Sequence, residues 1–322
     1  MHASRLTAHS RFPNIGTVAY TGYVAVPKFF WSAFAVLPLA IVLDVPLTGN
    51  GFLAVASVFM LIGGLPHGAF DIAIARTALK LSPSAAAIFT LAYIGVAAIM
   101  IALWALAPVM TLCLFLALAG AHFGEDWRML GSGLLRIMAG ASILCIPAFA
   151  NPDAVAALFV AMAGPEANWV HQTIVAFTPV AVLVTLVGML MAVHAGNAEW
   201  ALAQFAALLA LAILPPQIGF LFFFVFLHSP IHMRGLAAKL PGWSGPQFWI
   251  YGSLICLACF ALAIVLVPGL LFGQSLTISA EAFRLLSVVA APHLLLTMFV
   301  DRWVRPRSTK GTAGKTSEVP AH

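Results

Sequence analysis

The chain has 322 residues, of which 62% are hydrophobic and 8% charged, with a mean hydropathy of +1.04 and a formal net charge of +5. Soluble globular chains carry about 25% charged residues, so a water-facing fold is excluded. The basic residues fall in short segments between apolar runs, which accounts for the charge without a nucleic-acid partner.

Residues 1–27 are polar and contain no short apolar stretch followed by a small-residue cleavage site, so no cleavable signal is expected. From there, apolar runs recur at about the length that crosses a hydrocarbon core of ~30 Å. The predicted spans cover about 29–46, 51–70, 84–106, 108–124, 134–151, 169–194, 199–214, 217–233, 247–270 and 283–303. Pro83, Pro108, Pro152, Pro215-Pro216 and Pro241 punctuate the turns between them. The apolar stretch 154–163 is too short to cross and reads as a re-entrant or surface helix. Several runs are short, so eight or nine crossings also fit. Spanning backbone must satisfy its own hydrogen bonds, which leaves helices or a closed barrel. Continuous Leu- and Ala-rich runs select helices. The expected fold is all-α, a polytopic transmembrane bundle of about ten spans. It comprises one domain over residues 28–303, after the polar N-terminal segment and before a disordered tail at 304–322 rich in Pro, Ser, Thr, Gly and Lys.

With a cytoplasmic N-terminus, every basic residue except Arg284 lies in inner segments, and both termini are cytoplasmic. Trp127 and Trp303 near the inner boundary read as interface anchors. The cysteines Cys113, Cys145, Cys256 and Cys259 all sit within apolar runs and read as small packing residues.

The histidines concentrate the chemistry. His67, His122, His228 and His232 come from three predicted helices and share one depth near the inner face, while His293 lies nearer mid-span. Ionisable groups at membrane depth are expensive and mark function. His228 and His232, at i and i+4, share a helical face. Asp71 follows His67 by four residues, and Glu125 and Asp126 follow His122 by three and four. Carboxylates at that spacing orient ligand imidazoles. His171 and His194, at span ends, read as structural. His293 divides between ligand or substrate contact and structure. Clustered imidazoles suit a mononuclear metal such as Fe, Cu, Zn or Ni, or the axial ligation of a haem. The single HxxxH motif is too little for a di-iron site of the desaturase type. The aromatic run 219–227 leads directly into His228 and reads as core packing or as the lining of a substrate path.

Four motifs taken together resemble the Brp/Blh family of membrane β-carotene 15,15′-dioxygenases. They are Gly-Leu-Pro-His67-Gly-Ala-Phe-Asp71, Ala-His122-Phe-Gly-Glu125-Asp126-Trp127, Leu-His228-Ser-Pro-Ile-His232 and Ala-Pro-His293, in order over about residues 60–303. The resemblance implies cleavage of the central double bond of β-carotene, or of a related carotenoid, by O2 to give retinal. It implies Fe(II) held by His67, His122, His228 and His232. Asp71, Glu125, Asp126 and His293 are then expected around the metal or against substrate. The implied partners are carotenoid, O2 and the lipid bilayer, with a rhodopsin-type acceptor of the product conceivable. The residues alone also admit a b-type haem redox protein or a proton-coupled transporter.

Overall fold

The computed structural model describes residues 25–43, 45–47, 49–238, 240, 242–267 and 274–304. The polar N-terminal segment and the C-terminal tail expected from the sequence lie outside the described residues, as do the side chains of His67 and Trp303.

The described chain is all-α, with no strand among the described residues. The helices run α1 (Lys28–Val42), α2 (Asn50–Ala69), α3 (Asp71–Ala78), α4 (Pro83–Leu106), α5 (Pro108–Phe123), α6 (Gly133–Ala150), α7 (Pro152–Ala163), α8 (Asn168–His194), α9 (Ala198–Ile213), α10 (Pro216–Leu221), α11 (Ser229–Ala238), α12 (Gly245–Leu266) and α13 (Ser275–Val304). Proline stands in the first turn of α4, α5, α7, α10 and α12, where its missing N–H costs no intrahelical bond. Ser82, Ser132 and Ser244 cap α4, α6 and α12 by accepting from backbone N–H groups three residues on.

Seven described segments are long and apolar enough to cross a membrane, and α1, α2, α7 and α9 contribute shorter apolar stretches. The outer helices expose apolar side chains, while the central ones are buried. Almost none of α4 or α12 is buried, and Ile88, Leu91, Ile94, Trp249, Ile250 and Leu254 face outward. About half of α13 and of the 216–237 segment is buried, so these form the centre. Helix α7 buries one face and exposes the other: Val155, Leu158, Phe159 and Met162 are packed into an apolar cluster with Leu112 of α5, while Asp153, Ala157 and Val160 are exposed. At 12 residues it is ~18 Å long, too short to cross.

The histidine-bearing helices are irregular where the histidines occur. Pro66 and Pro292 sit inside α2 and α13, one residue before His67 and His293. Each removes one backbone N–H from the helical ladder. Phe222–His228 forms a π-helix between α10 and α11, and the Ser229 N–H donates to the Phe224 carbonyl five residues back. Such wide turns occur mostly at functional sites. Helix α5 ends one residue after His122 in a tight 3-10 turn, Gly124–Trp127. This turn folds beneath α6, where a Cβ on Gly124 would collide with the Arg136 carbonyl. Trp127 is accordingly buried edge-to-face against Trp200 (6.0 Å between centroids). It is a core residue, which corrects its expected role as an interface anchor: the turn that follows His122 points the indole inward.

Candidate metal centre

Helices α5, α11 and α13 and the end of the π-helix bring four imidazoles together. The His122 ring lies 5.0 Å from His228, 5.4 Å from His232 and 5.3 Å from His293, centroid to centroid. His232 and His293 are 4.9 Å apart. One ligand nitrogen from each of His122, His232 and His293 lies within 4.8 Å of the other two. Imidazole nitrogens bind first-row ions at about 2.0–2.1 Å, so a common ion fits with small side-chain adjustment. His228 and His232 stack nearly parallel at 6.0 Å, the outcome of their i, i+4 spacing.

Carboxylates brace this group. His293 Nδ1–H donates to both Asp71 oxygens at 2.9 and 3.0 Å, and the Tyr93 hydroxyl donates to Asp71 Oδ2 at 2.7 Å. His228 Nδ1–H donates to Asp126 Oδ2 at 2.7 Å. In both histidines the carboxylate holds the proton on Nδ1, leaving the lone pair on Nε2. Glu125 pairs with Arg128 at 3.1 Å and stands 3.7 Å from His122 Nδ1, beyond hydrogen-bond reach. That nitrogen is buried with no hydrogen-bond partner among the described residues. Buried polar atoms are normally satisfied, and the Glu125 carboxylate is the acceptor that faces this nitrogen.

Two of the carboxylates thus reach across the fold. Asp71 holds His293 of α13, and Asp126 holds His228 of the broken helix, where sequence spacing had set them beside His67 and His122. Tyr93, on α4, was missed. A phenol in the middle of an otherwise largely apolar span was the available signal. The sequence left His293 near mid-span because it began the last helix at about 283. Helix α13 begins two turns earlier, at Ser275, which moves His293 into its C-terminal half and to the depth of the others.

The imidazoles stand between two unlike spaces. On one side is a polar mouth bordered by His122, Glu125, Asp126, Arg128 and His232. On the other is a narrow apolar cavity that begins at His122 and His293 and is walled by Phe115, Phe123, Phe220 and Phe224. His228 is fully buried among Phe123, Phe223 and Phe224, whose centroids lie 5.0–5.8 Å from its ring. Part of the aromatic run before His228 therefore lines the cavity, and part is core.

The profile of the family described as beta-carotene 15,15′-dioxygenase matches residues 58–301, more than half of the chain. The chain belongs to that family. No curated protein and no solved structure matches it. In this beta-carotene 15,15′-dioxygenase family member the matched region contains all the imidazoles described above, together with Asp71, Tyr93, Glu125 and Asp126.

Two further described histidines, His171 and His194, are apart from this group. His171 Nε2–H donates to the Ala148 carbonyl at 3.2 Å, joining α8 to α6. His194 is exposed at the end of α8. Arg284, the one cation expected on the outer side, lies against the end of α7. It donates to the carbonyls of Ala161 (3.1 Å) and Met162, and pairs with Glu281 at 2.7 Å. The cysteines are free thiols.

Proposed function

We propose that this protein cleaves the central 15,15′ double bond of β-carotene, or of a closely related carotenoid, with O2, to give two retinal molecules. The observation that carries the proposal is the convergence of buried imidazoles from separate helices at the mouth of an apolar, aromatic-walled cavity, in a chain of this family.

The donor set suits iron. Neutral imidazoles favour a mid-series divalent ion, and carboxylates that hold Nδ1–H of His293 and His228 raise the basicity of the opposite nitrogens. His122, His232 and His293 would hold Fe(II), with His228 beside them. The family motif adds His67 as a further ligand. Bound iron would supply the activation of O2 that a closed-shell polyene cannot undergo alone. The chain itself does the rest. Asp71 and Asp126 fix the imidazole tautomers, Tyr93 holds Asp71, and the phenylalanine walls exclude water and seat the polyene. In the overall reaction one C=C and one O=O bond are replaced by two C=O bonds. No proton is gained or lost, so no protein nucleophile or general base is needed.

An apolar lining from His122 towards Leu112 offers no proton pathway, which weighs against a transporter. Four rings gathered around one point leave no flat slot for a macrocycle, which weighs against haem. Residues 28–303 are read as one membrane domain, with both termini cytoplasmic on the placement of the basic residues, and a C40 polyene that partitions into lipid would reach it from the bilayer.

The test is expression in a host that accumulates β-carotene. Loss of orange colour with retinal on chromatography is expected, and His232→Ala should abolish both retinal and bound iron. Undiminished β-carotene in membranes that contain the intact wild-type protein would refute the proposal.

A further inference from the structure

A further apolar space adjoins the first cavity on the side away from the histidines. A second cavity shares Phe115, Ala119, Phe123 and Phe220 with the first and extends to Leu112, Leu158, Phe159, Met162 and Pro216. Three helices give the same order along this combined space. On α5 it runs from His122 through Ala119 and Phe115 to Leu112. On α13 it runs from His293 through Leu286 to Phe283. Along the broken helix it runs from Phe224 through Phe220 to Pro216. On α5 and α13 the distance covered is ten residues, ~15 Å of helix rise. That is comparable with one half of a C40 carotenoid.

The far end is closed. Leu112, Leu158, Phe159 and Met162 belong to one buried apolar cluster. The short helix α7 supplies most of this floor, and it is fastened. Arg284 of α13 binds the Ala161 and Met162 carbonyls, satisfying the last turn of α7, and its guanidinium lies 5.7 Å from the Trp104 ring. The floor is therefore held at a set distance from His293, which lies on the same helix as Arg284.

We infer that this closed arm is a ruler: it seats one half of the carotenoid, and the Leu158–Phe159–Met162 floor stops the end ring so that the central double bond lies at the histidines. The inference rests on the oxygenase reading and deepens it. A polyene offers many similar double bonds and no polar group to grip, so position along the chain must come from where the chain is stopped. Pocket misfit of a single methylene discriminates about tenfold or more, which is sufficient to select one double bond if a slip forces the ring into the floor.

The experiment compares wild type, Phe159→Leu and Ala119→Leu in β-carotene-producing cells, with aldehydes separated by length and protein quantified in the membrane. Phe159→Leu deepens the arm, and Ala119→Leu shortens it midway. Wild type is expected to give retinal alone. Phe159→Leu is expected to raise the ratio of unequal-length aldehyde pairs to retinal by about tenfold or more. Ala119→Leu is expected to lose retinal or exchange it for an unequal pair. Met162→Ala tests the same floor if Phe159→Leu does not accumulate. Retinal as the sole product of every well-expressed variant would overturn the ruler while leaving the oxygenase reading intact. Absence of any aldehyde from wild type would overturn both.

Discussion

Replacing Asp71 with Asn isolates the brace on the histidine group, because it keeps the shape and removes the charge. Asp71 Oδ2 accepts from Tyr93 at 2.7 Å and from His293 at 2.9 Å, while Oδ1 accepts from His293 at 3.0 Å. An asparagine whose oxygen takes the Oδ2 position keeps the tyrosine and one acceptor for His293, but it carries no charge and sets its NH2 group against the His293 Nδ1–H where Oδ1 had accepted. The alternative is for His293 to move its proton to Nε2, which removes the lone pair a metal needs. Hydrogen bonds to a charged group are worth about 1.5–3 kcal/mol, and loss of such a brace typically costs about 10–100-fold in metal affinity. We expect iron affinity of Asp71→Asn to fall within that range and retinal formation to fall with it, recoverable in part at high iron. Tyr93→Phe removes a hydrogen bond to the Asp71 carboxylate, worth about 1.5–3 kcal/mol, but leaves the charge beside His293 in place, so its loss of iron affinity should be smaller than that of Asp71→Asn. The assay is competitive chelator titration of detergent-purified protein, with bound iron measured by elemental analysis. Wild-type affinity in Asp71→Asn would refute the coupling of Asp71 to the metal through His293.

Three further outcomes follow from the same geometry. Gly140→Ala should destabilise the protein by about 1–3 kcal/mol or more, because a Cβ there would collide with the Gly120 carbonyl and the Gly124 N–H where α6 crosses α5; thermal unfolding in detergent reads this. Arg284→Leu should lower thermal stability by about 1–3 kcal/mol, since it leaves the carbonyls at the end of α7 unsatisfied, whereas iron content should be unchanged. Removal of metal by a strong chelator should abolish retinal formation, with recovery on adding Fe(II), while His194→Ala, at an exposed helix end, should match wild type in both activity and iron.

The phenylalanines before His228 mark the boundary of what local pattern conveys. Their run is legible, and so is its end in a histidine. Which rings face the cavity is not, because the π-helix over Phe222–His228 shifts the register, and nothing in a row of phenylalanines announces a wide turn. The same holds for the carboxylates. Asp71 and Asp126 follow His67 and His122 by four residues, and in the fold they hold His293 and His228, 222 and 102 residues away, which spacing along the chain does not convey.

Sequence by itself determined the helical class, most of the helix positions and the family. Apolar runs of spanning length must be helical because lipid offers the backbone no hydrogen bonds, and histidines near one end of several spans must share a depth because helix rise is regular. The helix boundaries follow from the same regularity, to within a turn or two, since proline marks most of them. Tertiary structure alone decided which imidazoles meet, which carboxylate holds which ring, and where the apolar arm is stopped. Those depend on how each helix is rotated about its axis and on contacts between residues far apart in the chain. Both are set by packing, as where Gly140 lets α6 close on α5, and not by the order of residues along one helix.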